Sequence, residues 1–455
     1  MPAGLIRVPL SLVQETMWAL ERTAPTPGFY NETLRVRFTP PFEPDLVAAG
    51  LASVVERHES LRTTFRSSAG RLYQSIAPSA EVEIELDLTD LRSLPAESRL
   101  NELHRMEARE QEGVFDLAEG PLLRARLFLL DDGASELCLV LDHLVSDATS
   151  EAILGRELQD ACAALSAGEK PDLPPVAMDY PDFAVWQRAW MNDARLREHY
   201  DYWRMKLQGV SSRHKVAYGS EMRDPAVGHR PDVDPTPGVY AFTLPADVYD
   251  RLRRVPGFVL CSAAVASLVA RATGEPDVVF VTSVGGRDRT ELERMVGLFG
   301  GLSVLRVDLS GDPPFEVVVR RARASVLGLL EHQHLPFIPV AETLRKEGTD
   351  VALLSVPVAV HFFRAAWPGW VPGASVVARP PEDEGVLVPD LPDASKPLEF
   401  RFYDDGTALW GETLYHPDYY DTATVAQIVA DLKGLLAAVA RNSLLRLSQL
   451  PLSLP

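Results

Sequence analysis

The stretch from Leu122 to Ser150 constrains this chain more than any other. Apolar residues dominate from Leu127 to Leu141 and are interrupted by Asp131-Asp132-Gly133, the signature of a hairpin whose second strand is largely buried. The strand runs out into Asp142-His143-Leu144-Val145-Ser146-Asp147. An acid, an imidazole and a second acid therefore stand just before a helix that should begin near Thr149 or Ser150. Reactive groups at the end of a buried strand are held by a rigid element, and the rest of the chain reads as the scaffold that presents them.

With 455 residues the chain exceeds one ordinary core, so two domains of about 200 residues each are expected. Gly168, Pro171, Pro174 and Pro175 make the best linker in the first half, which places the domains at 1–175 and 176–455. Sixty-four acidic against 45 basic residues leave a net charge of -19. This argues against nucleic acid or an anionic membrane as partner. Cys138, Cys162 and Cys261 have no metal-site spacing and sit in apolar sequence, as reduced core thiols do. No signal peptide and no run of about 20 apolar residues is found, so a cytoplasmic location is expected.

Periodicity gives a helix from Pro9 to Leu20 entered through Ser11, and a strand from Thr33 to Phe38. A helix from Leu46 to Arg57 is capped by Asp45, a strand runs from Val82 to Leu88, and a charged surface helix from Pro95 to Glu112. His58 and Arg62 lie in dense polar sequence beside a strand; a turn held by hydrogen bonds is the commoner reading than a functional one. The aromatic residues between Tyr180 and Leu207 read as helices packing across the domain junction. Val210 to Gly238 reads as a loop. Beyond it, strands are expected at Tyr240–Leu244, Asp277–Val284, the end of Met295–Leu309, and Leu353–Phe363. Helices are expected at Ala246–Arg254, Phe258–Ala272 and Phe315–His334. The second half thus repeats the layered α/β (α+β) plan of the first without repeating its sequence.

Several phrases, in order, resemble the motifs of nonribosomal peptide synthetase condensation domains. They are Leu10 to Trp18, Arg57 to Phe65, Tyr180 to Trp186, Val296 to Phe299 and His332 to Phe337, and the likeness runs from about residue 8 to the end. The family's His-His-x-x-x-Asp-Gly motif stands here as Asp142-His143-Leu144-Val145-Ser146-Asp147-Ala148. The resemblance implies two chloramphenicol-acetyltransferase-like lobes arranged in a V around a central tunnel. It implies that substrates arrive on the phosphopantetheine arms of an upstream donor and a downstream acceptor carrier protein, with no cofactor or metal bound by the chain itself. His143 would be the catalytic residue beside the donor thioester. Asp147 would form a structural salt bridge across the lobes with Arg287. A neutral imidazole, with a pKa of about 6.5, can take a proton from the acceptor amine at cellular pH.

Three positions depart from the family pattern: Asp142 replaces the first histidine, Ala148 the glycine, and Gly301 an asparagine of a later motif. A carboxylate at 142 would raise the pKa of His143 if close to it, although neighbours on a strand face opposite ways. Asp142, Asp147 and Ser150 also satisfy the Asp-x-x-x-x-Asp-x-x-Ser pattern of heterocyclisation domains. The phrase Val356 to His361 lacks the matching signature of those enzymes. Three functions follow: amide or ester formation, a catalytically silent domain that recruits a tailoring enzyme, and heterocyclisation, with the first ranked above the others. Arg320, Arg321 and Arg323 could dock a carrier, although a solvated helix face is the commoner reading. The tail Ser448–Pro455 resembles a linker into an adenylation domain, which would be a neighbour in the native chain.

Overall fold

The computed structural model describes residues 6–24, 26–131, 133–210, 237–349, 356–364, 385–387 and 397–453. Most of the loop expected at Val210–Gly238, Asp132 of the hairpin turn, and the start of the Leu353–Phe363 segment lie outside the described residues. Contacts divide the chain into two compact units. One holds the chain up to Arg195 together with Gly285–Gly300, the other begins at Leu196. The division falls beyond the Gly168–Ala177 linker.

In the first unit, β2 (Asn31–Phe38), β7 (Ser135–Asp142), β6 (Leu123–Leu129) and β5 (Leu86–Asp90) form a sheet in that order. The β2/β7 and β6/β7 pairs are antiparallel, and β5 joins β6 in parallel. All eight residues of β7 are buried, as the hairpin reading expects. The side-chain period of two then sorts them between two layers. Leu137, Leu139 and Leu141 pack with Val47, Leu51 and Val54 of α2 (Pro44–Arg57) and with Leu154 and Leu158 of α4 (Ala148–Ser166). Cys138 and Val140 pack with Leu103 of α3 (Ala96–Glu112). A second sheet orders β1 (Ile6–Val8), β4 (Arg71–Ile76) and β3 (Thr63–Ser68). Helix α1 (Leu12–Glu21) starts at Ser11, whose hydroxyl accepts the Gln14 N–H while the Gln14 side chain accepts the Ser11 N–H. The aromatic-rich segment forms two helices, α5 (Tyr180–Trp190) in this unit and α6 (Asp193–Lys206), which belongs from Leu196 onward to the second.

Two details differ from the sequence reading. Helix α2 opens with Pro44 behind Glu43, so proline in the first turn takes the place expected for an Asp45 cap. Helix α3 is not wholly a surface helix: Glu107 is buried and pairs with Arg35 of β2 at 3.0 Å.

The second unit is built on a seven-stranded sheet. Its order is β10 (Gly301–Asp308), β9 (Asp277–Val284), β11 (Val358–Arg364), β13 (Leu398–Asp404), β14 (Leu409–Tyr415), β8 (Gly238–Thr243) and β12 (Gly385–Leu387). Strands β9, β11 and β13 run parallel, and the other pairs are antiparallel. The short helix α7 (Ala246–Leu252) leads into α8 (Gly257–Thr273). Helix α8 is buried continuously from Val259 to Ala270, as a helix that is apolar all round must be. It packs on β9 and β11 and on α9 (Phe315–Glu331) and α11 (Thr422–Arg441). Helix α11 is long and apolar enough to cross a membrane by composition, but half of it is buried in this core. Strands β13 and β14 and helices α10 (Phe337–Lys346) and α11 were not read from the sequence.

The sheet also carries buried polar residues. Arg401 donates to Glu399 at 2.6 Å, Tyr403 to Glu412 at 2.7 Å, and the His361 ring meets the Ser283 hydroxyl at 3.0 Å.

Candidate functional site

The site follows from the register of β2 on β7. Glu32 lies opposite Leu141 and Asn31 opposite Asp142. Facing pairs share a side of a sheet and diagonal neighbours two residues along remain within reach. His143 is two residues beyond Leu141, so it is the diagonal neighbour of Glu32. The backbone holds it there: the His143 N–H donates to the Tyr30 carbonyl, the Asp142 N–H to Leu122, and the Val145 N–H to Asp142.

The His143 Nδ1 lies 2.9 Å from the Ser146 carbonyl oxygen and 2.9 Å from Glu32 Oε1. Both neighbours are acceptors, so Nδ1 carries a proton, while Nε2 has no partner among the described residues. The side chain is 24% exposed. Burial pushes the imidazole pKa down, but the Glu32 carboxylate, with Asp147 and the Ser146 carbonyl, outweighs it and lifts the value to about 9. This differs from the expected neutral imidazole. The carboxylate responsible is Glu32 on the adjoining strand, which the sequence reading did not single out; Glu32 Oε2 is buried and makes no hydrogen bond.

Asp142 takes the other face. It is buried, and its Oδ1 accepts the Leu144 N–H at 2.9 Å. Burial first, and then Glu32, raises its pKa to about 6 against the pull of that N–H and of His143. Glu21, at the end of α1, is raised to about 7 by burial and by Asp142, against His143.

Asp147 is handled differently. Arg287 grips it with two bonds, Nη1 to Oδ2 at 2.7 Å and Nη2 to Oδ1 at 3.0 Å, and Arg287 Nη2 also donates to Ser150 Oγ and to the Met295 carbonyl. The backbone N–H groups of Phe299 and Gly300 donate to Asp147 Oδ2, and the Ser150 N–H donates to Oδ1, which caps α4. The guanidinium lies over the Phe299 ring at 4.2 Å. Burial alone would raise the Asp147 pKa; Arg287 and these N–H groups hold it below the ordinary carboxylate range. The salt bridge expected across two lobes lies within the first compact unit, because Gly285–Gly300 belongs to that unit.

The remaining candidates do not join His143. Arg62 donates to the carbonyls of Val55, Glu56 and Ala77, closing the end of α2 as the turn reading expects. His58 is buried against Glu157 at 2.7 Å. Ala148 is the first residue of α4 and its φ is not positive, so the helix start does not require the family's glycine. Ser150 Oγ bonds Asp147 and the Gly297 backbone. Gly301 opens β10 opposite Val284 in the second unit. Among the described residues no group of three or more His, Cys, Asp or Glu could hold a metal ion, and all three cysteines are buried and free.

The Condensation domain family profile matches residues 6–454. The chain is 30% identical over 454 residues to a linear gramicidin synthase polypeptide of Brevibacillus parabrevis, covering 98% of this chain but 6% of that polypeptide. Among solved structures, it superposes on the X-domain from teicoplanin biosynthesis with a TM-score of 0.75 and 25% identity, covering 99% of this chain and 98% of the other. That X-domain has also been solved in complex with OxyB. The first condensation domain of the calcium-dependent antibiotic synthetase gives a TM-score of 0.74 at 21% identity, covering 98% and 99%. The fold is therefore the chloramphenicol-acetyltransferase-like fold of these domains.

Proposed function

We propose that this chain, which belongs to the condensation-domain family of nonribosomal peptide synthetases, transfers an acyl or peptidyl group from a carrier-bound thioester to an amine, or a hydroxyl, on an acceptor carrier. The observation that carries this reading is His143, with its Nδ1 proton committed to Ser146 and Glu32 and its Nε2 left for the reactants. The acceptor nitrogen attacks the thioester carbonyl carbon, the C–N bond forms, and the π pair moves onto oxygen. Collapse re-forms the carbonyl, breaks the C–S bond and frees the donor arm's thiolate. The surplus proton on nitrogen passes to that thiolate, directly or through water. A donor group fixed beside the oxyanion lowers the barrier without rearranging.

The heterocyclisation pattern draws no support from the geometry. Its three residues do not converge: Asp147 and Ser150 are committed to Arg287 and the Gly297 backbone, while Asp142 lies on the opposite face from His143. The silent reading has one observation in its favour, the likeness to an X-domain at a TM-score of 0.75. That domain's complex with OxyB makes a tailoring enzyme the partner to test. Adenylation and carrier neighbours are part of this proposal, since the chain spans a small fraction of the relative's length.

The test is the intact mass of the acceptor carrier after incubation with this chain and a donor carrier, both loaded through phosphopantetheine with a panel of acyl and aminoacyl groups. Gain of the donor acyl mass is expected. Gain less a further water indicates cyclisation. No transfer from any pair, together with stable binding of an oxygenase, indicates the silent domain.

A further inference from the structure

We propose that Glu32 is a positioning residue for this reaction: its carboxylate holds the Nδ1 proton of His143 and presents Nε2–H, as a charged donor, to the oxygen of the thioester carbonyl. This deepens the condensation reading and rests on it. The argument begins with strand parity. Leu34, Val36 and Phe38 of β2 lie in the core shared with α2 and α4, and position 32 has the same parity. A glutamate there costs desolvation unless it is paired, and its Oε1 is paired with one group, the His143 imidazole at 2.9 Å.

A neutral histidine can place its proton on either ring nitrogen, and the hydrogen bond made by one nitrogen decides the state of the other. With a carboxylate and a carbonyl both facing Nδ1, the neutral ring keeps its proton there. With a second proton the ring is an imidazolium whose counter-ion is already in place. His143 is faced by Glu32 from β2, Asp142 beside it, Asp147 at the start of α4 and Glu21 at the end of α1. All four carry carboxyl groups, and Glu32 alone touches the ring. The field therefore favours the protonated ring, with a value of about 9. In that state Nε2–H donates to the oxyanion while the C–N bond forms and is unchanged when the C–S bond breaks. The acceptor amine sheds its proton to the departing thiolate, so His143 need not act as a base.

The experiment is a nitrogen-15 and carbon-13 NMR titration of histidine-labelled full chain, with the His143 signal assigned by its absence in His143→Gln. In the wild type the midpoint is expected near 9, with the neutral form above it protonated at Nδ1. In Glu32→Gln, which keeps an acceptor but no charge, the midpoint is expected to fall toward the ordinary 6.5. Asp142→Asn, which removes a charge that acts on the ring without touching it, is expected to lower it by less than Glu32→Gln does. Glu32→Met replaces the first variant if that does not fold. An unchanged midpoint in either Glu32 variant, or a wild-type neutral ring protonated at Nε2, overturns the proposal. With loaded carriers, the alkaline limb of the amide-forming rate is expected to move with the midpoint. A limb that stays in place while the midpoint moves also overturns it. The titration needs no substrate, so its failure leaves the condensation reading standing, and absence of transfer leaves the titration result standing.

Discussion

Asp147 and Glu32 flank the same short turn and the fold treats them in opposite ways. Asp147 receives two guanidinium bonds, three backbone N–H groups and the Ser150 hydroxyl, and its partners hold it ionised. Glu32 has one oxygen on His143 and one with no hydrogen bond. A carboxylate with every lone pair used is committed to holding chain segments together, here α4 and Gly285–Gly300. One that pairs with an imidazole and leaves its other ring nitrogen unbonded is the arrangement the proposed chemistry requires. The contrast separates scaffold from chemistry within the span Asp142 to Asp147.

The largest way to break the contrast is Arg287→Ala. It strands a buried carboxylate whose partner is 7% exposed, and is expected to cost about 3–5 kcal/mol in denaturant unfolding. Next is Ser150→Ala, which removes a hydroxyl bonded to Asp147, Arg287 and the Gly297 backbone. A loss of about 1–3 kcal/mol is expected by the same measurement.

The pH dependence of stability sharpens the comparison further. The folded chain keeps the His143 proton to about 9 against an ordinary 6.5, so that stabilisation is complete below 6.5 and is lost as pH rises through 9. Asp142 and Glu21, also raised, lose stability in the same direction, through about 6 and about 7. Asp147, held low, contributes above the ordinary carboxylate range and loses its contribution only in acid. The melting temperature is therefore expected to decline between pH 6.5 and about 9, and less steeply in Glu32→Gln. The smallest effect is expected from Ala148→Gly. Restoring the family's residue at the first turn of α4 should cost at most about 1 kcal/mol in unfolding and leave acyl transfer unchanged.

Much of this was legible in the residues. The doubly buried β7, the helix after Asp147, the Asp147–Arg287 pair and the structural reading of Arg62 all followed from pattern or resemblance. Glu32 was not, although its signal was present: a glutamate at the core parity of Leu34, Val36 and Phe38. The strand was read as starting at Thr33, one position too late to include it. The place of Gly285–Gly300 in the first unit was also hidden, because it depends on N–H groups of Phe299 and Gly300 reaching Asp147 across more than 140 residues of sequence. In the second unit β13 was passed over because buried Glu399 and Arg401 interrupt its apolar pattern, and the pairing that makes them tolerable is not visible in one strand.

The most direct measurement compares His143→Ala with the wild type in both acyl transfer between loaded carriers and denaturant unfolding. The account predicts a fall in transfer of about 10²-fold or more with unfolding changed by less than about 2 kcal/mol. Transfer at the wild-type rate by a folded His143→Ala chain would contradict it.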